Sequence, residues 1–141
     1  MRCIDEPHSR WMNTMTRCVA ALLLVLAFAG QASAQTVQRN FPATALRGEI
    51  SFGQPPEVLV NGQPARLAPA ARIRGLNNLL VMSGALMGQK AVVNYVLDPL
   101  GLVQDVWILT DTERTKQPWP TNKKEAQTWS FDPVAQVWKK P

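Results

Sequence analysis

The chain has 141 residues, with 15 Lys and Arg against 10 Asp and Glu, a single His and two Cys, giving a net charge of +5. That length makes one domain, and a charge of mixed sign suits an ordinary exposed surface as well as one that meets anionic envelope polymers or lipid head groups. Cys3, Cys18 and His8 all lie near the N-terminus, so a product that loses this part has no disulfide, no thiolate or histidine metal site and no cysteine or histidine catalysis.

The segment from Arg17 to Ala34 reads as a secretory signal peptide. Arg17 is the basic flank, Val19 to Ala29 is an uninterrupted apolar run, and Ala32, Ser33 and Ala34 form the Ala-x-Ala pattern cleaved by signal peptidase. A membrane span needs about 20 apolar residues, and this run is shorter. Cys18 precedes the run, whereas a lipoprotein needs its cysteine after it. Asp5, Glu6 and Trp11 do not suit a signal, and Met12 and Met15 are better starts, so residues 1–11 or 1–14 are expected to be a start-site over-extension. Cleavage between Ala34 and Gln35 leaves 12 basic and 8 acidic residues, a net charge of +4, and no membrane span.

Residues 35–46 have no periodicity and are expected to form an extended, weakly ordered lead-in, docked by Phe41 and Pro42 alone. A single β domain is expected over 47–141, starting with a strand at Gly48 to Phe52 that Gly53, Pro55 and Pro56 end. Glu57 to Val60 and Gln63 to Leu67 flank Asn61 and Gly62, the pair that a type I′ hairpin turn requires. Pro64 has no N–H and places its arm at a sheet edge or on an unpaired side, a candidate place for pairing with another chain. Ala71 to Arg74 and Leu79 to Ser83 are the next expected strands, with Arg72 and Arg74 on one face and Ile73 turned to the core. Ser83 to Gln89 is a compact or single helical turn, and Met82 and Met87 read as core filling.

The clearest element is the hairpin Ala91 to Thr110 around Asp98-Pro99-Leu100-Gly101, with Asp, Pro and Gly where a type I turn takes them. Leu97 opposite Leu102 sets a register with Asn94 opposite Asp105 and Val92 opposite Trp107. Val93, Tyr95, Leu97, Leu102, Val106 and Ile108 then make a core face. Val92, Val96, Val103 and Trp107 make a second apolar face, notched by Asn94 and Asp105, which either pair with each other or face a ligand. A hairpin apolar on both sides needs cover on both.

Asp111 to Gln117 read as a polar loop, followed by Pro118, Trp119 and Pro120. Asn122 to Gln127 could form one or two helical turns. Thr128 to Phe131 and Gln136 to Lys140 flank a second Asp-Pro turn, in a register that sets Trp129 opposite Trp138. The fold class is therefore all-β with one short helix possible: a small antiparallel barrel or sandwich of hairpins after an N-terminal signal helix.

Trp119, Trp129 and Trp138 lie among Lys123, Lys124, Lys139 and Lys140, a combination that closes a core or holds sugar rings, with Trp119 between two prolines the best case for exposure. The run Val93 to Leu109 resembles the hairpin of TonB-type C-terminal domains, and Trp129, Phe131 and Pro133 echo that family's later Trp-x-Phe-x-Pro. The likeness spans about 20 residues and implies a hairpin, not energy transduction. In layout the chain is similar to small exported proteins of uncharacterised function from Gram-negative bacteria, which implies a periplasmic or secreted location.

No phosphate loop, nucleophile elbow, metal spacing or dinucleotide fingerprint occurs in the sequence. The expectation is an exported, non-enzymatic module without cofactor or metal that binds or scaffolds an envelope protein and not nucleic acid. One alternative is recognition of an anionic glycan, peptidoglycan or lipopolysaccharide, through Trp119, Trp129, Trp138, Lys123 and Lys124. Another is an enzyme using a carboxylate pair such as Asp98 with Asp105 or Asp111 with Glu113.

Overall fold

The computed structural model describes residues 38–141. The expected signal peptide, its Ala34/Gln35 cleavage site and the doubtful start lie outside the described residues.

Five strands close into a barrel: β1 (Leu46–Phe52), β2 (Glu57–Val60), β3 (Gln63–Arg74), β4 (Lys90–Leu97) and β5 (Val103–Ile108), in the spatial order β1-β2-β3-β5-β4 with β4 returning to β1. The pairings are antiparallel except that of β3 with β5, which runs parallel. Leu46, Ile50, Phe52, Val58, Val93, Tyr95 and Val106 fill the interior, together with Leu86 from a 3-10 turn at Ser83–Leu86. Burial of side chains two apart on each strand is what a pleated wall around one core requires.

The first hairpin forms as its Asn-Gly turn demands, with Asn61 and Gly62 at φ of 51° and 78° and Val60 opposite Gln63. Pro64 sits where β3 has β2 as its one neighbour, because the ladder to β5 begins at Leu67. Gln63 to Leu67 and Ala71 to Arg74 form one strand, not two. Leu79 to Ser83 is not a strand but a tight return onto the end of β3, with one bridge between Arg74 and Leu80. Ile73 is buried as expected, whereas Met82 and Met87 are exposed, so neither fills the core.

In the hairpin of β4 and β5, the Asp98 carboxylate accepts from the N–H groups of Leu100 and Leu102 at 2.9 and 2.8 Å. Gly101 adopts a φ of 83°. This left-handed residue adds one position to the loop, so Leu97 pairs with Val103 rather than Leu102. A bulge at Gln104 adds another, setting Asn94 opposite Trp107 and Val96 opposite Asp105. The expected pairing of Asn94 with Asp105 is thereby broken. Val103 turns into the barrel, while Val92, Val96 and Trp107 keep the outer face.

That outer face is covered, as a hairpin apolar on both sides needs. Phe41, Ala45, Leu109, Trp119 and Trp138 form a second core against Val92, Val96 and Trp107. The polar stretch after β5 starts with a short helix, α1 (Asp111–Arg114), instead of an open loop. Its Thr110–Glu113 capping box supplies the helix signal. A second helix, α2 (Lys123–Thr128), leads to the two-stranded hairpin β6 (Ser130–Asp132) and β7 (Val137–Lys139). Phe131, not Trp129, lies opposite Trp138, because Trp129 is the residue that ends α2.

The lead-in is held far more firmly than its lack of pattern suggests. Pro42 is exposed, yet Phe41 and Arg39 are buried. The Arg39 guanidinium forms a two-pronged ion pair with Glu113 and donates to the carbonyls of Gly75 and Ile108 at 2.8 and 2.7 Å. The buried Gln136 side chain accepts from the Phe41 N–H at 2.7 Å and donates to the Pro133 carbonyl at 2.9 Å. Arg39 and Gln136 thus pin the start of the domain to α1 and to the last hairpin.

Candidate functional site

The expected aromatic site divides into a core and one surface residue. Trp119, at 5% exposure, is the centre of the second core and not a surface residue. It meets Phe41, Phe131 and Trp138 edge-on with ring centres 5.8 to 6.2 Å apart, and its indole N–H donates to the Ala45 carbonyl at 3.0 Å. Trp138 is equally buried and lies 4.7 Å from Phe131. Trp129 is half-buried, with the Lys140 ammonium 5.2 Å from its ring centre.

Lys123 and Lys124 are exposed on the first turn of α2, and Lys123 lines a different depression from Trp129. Trp129 and Lys140 border a shallow groove of about 360 Å³ with Arg47, Thr121 and Glu125. Hydrogen bonds from the Thr121 N–H and hydroxyl hold the Glu125 carboxyl below its usual range, and Lys140 adds to the effect. This groove therefore presents the Trp129 edge, the Lys140 ammonium and one carboxylate that stays ionised, with the largely buried Arg47 guanidinium at its border.

Asn94 and Asp105, expected as a notch, serve two separate charges. Asp105 pairs with Arg72 at 2.9 Å on the outside of the β3–β5 seam. Asn94, fully buried, accepts from Arg47 Nε at 3.1 Å. The Arg47 guanidinium is 4.8 Å from the Trp119 ring centre and donates to the carbonyls of Lys116, Arg114 and Glu113. Burial lowers its pKa to about 10, partly offset by Glu113, so it remains charged at neutral pH. For Glu113, burial acts to raise the pKa, but the Arg39 and Thr110 hydrogen bonds and the Arg39 charge prevail and lower it. These side chains form a structural lock rather than an open site, since their polar atoms are turned on the protein itself. Two buried atoms have no partner among the described residues, Asn94 Nδ2 and Trp138 Nε1.

A larger concavity lies elsewhere, a groove of about 520 Å³ along β3, bordered by Pro55, Pro56, Arg66, Pro69, Ala71 and Met82. It lies where the β3–β5 ladder lapses. Leu67 is opposite Val103, the next pair is Arg72 with Asp105, and Ala68 to Ala71 face Gln104 alone. Sequence pattern missed this groove because it arises from a mismatch between two strands 30 or more positions apart; Pro69 within a long strand was the one available signal.

Among the described residues no cluster of three His, Cys, Asp or Glu side chains could hold a metal ion, and no helix is long and apolar enough to cross a membrane. No protein-family model matches the chain, and no curated protein or solved structure matches it either.

Proposed function

We propose that the chain is an exported module of the cell envelope that holds an extended, apolar segment of a partner protein in the groove along β3. The observation that carries this reading is the lapse in the seam, where four residues of β3 face one of β5 beside an apolar concavity. An extended chain laid there would gain main-chain hydrogen bonds from the strand edge and seat alternate side chains in the groove. Small five-stranded barrels can carry oligosaccharides or oligonucleotides on the face of their second and third strands, an analogy of fold alone. The lining here has Pro, Ala, Leu and Met but no aromatic platform, which favours a peptide.

Binding rather than catalysis fits the side chains present. From Gln38 to Pro141 there is no Cys or His. Of the carboxylates considered for catalysis, Asp105 and Glu113 are tied to arginines and Asp98 is tied to its turn. The export rests on the sequence of Arg17 to Ala34. A photocrosslinking residue placed at Ala68 in living cells should give a discrete adduct with an envelope protein, lost when Ala71→Trp fills the groove. Equal adducts from Ala68 and from the distant control position Gln127, or adducts indifferent to Ala71→Trp, would refute the reading.

A second reading, recognition of an anionic glycan, is supported by the pairing of Trp129 with Lys140 at the smaller groove. Tryptophan fluorescence should then respond to peptidoglycan or lipopolysaccharide fragments, and Trp129→Phe together with Lys140→Gln should abolish the response.

A further inference from the structure

Eight large apolar side chains are exposed among the described residues, and five of them, Leu76, Leu79, Leu80, Met82 and Met87, fall between β3 and β4. Their exposures run from 52% to 80%. The backbone that carries them is well satisfied. Gly75 N–H donates to the Leu79 carbonyl at 2.9 Å, Asn78 N–H to the Gly75 carbonyl at 3.0 Å, and Val81 N–H to the Ile73 carbonyl at 2.8 Å. Asn77 Oδ1 accepts from Leu79 N–H at 3.1 Å, and Asn78 takes a φ of 63°. The tight loop thus fixes its leucines outward, and the buried Leu86 anchors the turn that follows.

The stretch of sequence that carries this loop has charges of one sign. From Val58 to Leu97 there is no Asp or Glu, while Arg66, Arg72, Arg74 and Lys90 are present. Arg66, Arg72 and Lys90 reach Glu57, Asp105 and Glu49 across neighbouring strands, exposed pairs of small worth. Arg74 has no ion pair among the described residues. From Gly75 to Gln89 there is no Trp, Tyr, Phe or Arg. Protein interfaces concentrate their energy in Trp, Tyr and Arg, with Leu under-represented, so an exposed Leu and Met loop that follows Arg74, a cation without an ion pair among the described residues, fits an anionic lipid surface better than a protein.

We infer that the Leu76–Met82 loop, with Met87, seats in the interfacial layer of a bilayer with anionic headgroups and holds the barrel on that surface. This contact adjoins the β3 groove at Met82, which borders both, but it does not rest on the peptide reading. Residues 38–141 form a compact unit of their own, so the Gln35 to Pro141 product is the protein to test. It should cosediment with vesicles of phosphatidylglycerol and phosphatidylcholine, more weakly at high salt and more weakly with phosphatidylcholine alone. Leu79→Ser with Leu80→Ser should reduce binding about tenfold or more, because two apolar side chains leave the interface. Val134→Ser, which removes an exposed apolar side chain on the last hairpin, should leave binding unchanged. Absence of vesicle binding, or equal binding by the double variant with its melting temperature intact, would overturn the inference. Self-association abolished by the same two substitutions, without vesicle binding, would assign the loop to a protein interface instead.

Discussion

Replacing Arg39 by Met tests whether the lead-in is an integral part of the domain. The side chain is 5% exposed, and its loss strands three groups at once: the Glu113 carboxylate and the carbonyls of Gly75 and Ile108. Removing one partner of a buried ion pair costs about 3–5 kcal/mol. In a domain of this size 1 kcal/mol corresponds to roughly 4–8 °C, so the lower bound predicts a fall in melting temperature of about 12 °C. Glu113→Gln in the same background should be much less than additive, with a coupling of about 1–3 kcal/mol, since both substitutions remove one interaction. Acid gives an independent check. The folded-state pKa of Glu113 is lowered, so its stabilisation is present above about pH 4.5 and is lost as pH falls through the lowered value. The gap between the parent protein and Arg39→Met must therefore narrow on acidification. A loss below about 1 kcal/mol at pH 7, or a gap independent of pH, would refute the lock.

Other substitutions separate core from surface. Trp119→Ala should cost about 3–5 kcal/mol by thermal melting, whereas Trp129→Ala should cost clearly less, because one is the centre of a core and the other its half-exposed neighbour. Gln136→Ala leaves the buried Phe41 N–H without its side-chain acceptor and should destabilise by about 1–3 kcal/mol, measured by urea denaturation. Gly48→Ala should destabilise by about 1–3 kcal/mol, since a Cβ there would lie 2.9 Å from the Asn61 amide and 3.1 Å from the Tyr95 ring.

Local chemistry made the strands and turns legible in the sequence. Asn61-Gly62 and the Asp-Pro turns locate three hairpins without tertiary information, because each turn type needs particular residues at particular positions. The second apolar face of Val92, Val96 and Trp107 announced that something covers it. Register was less accessible: one left-handed glycine and one bulge moved Asn94 from Asp105 to Trp107, and with them the expected polar notch. The arginines mislead for a similar reason. Nothing adjacent to Arg39 marks it for burial, since Glu113 lies 74 positions away. Conversely, Met82 and Met87 read as core by their chemistry and are exposed by a loop geometry that has no local signature.

The second core has a consequence for the order in which the molecule can be completed. Phe41 and Gln136 meet across 95 positions, and Trp138 sits against Trp119 beside them. A chain emerging from its N-terminal end can wind the barrel strands β1 to β5 while Phe41 and the outer face of β4 and β5 are still bare. Closure waits for the final hairpin. Loss of the last six residues would remove Gln136 and Trp138 together and leave the barrel with an uncovered aromatic flank. The last hairpin is thus the fastener of the whole domain, and an unfinished molecule carries its own mark of incompleteness on the surface.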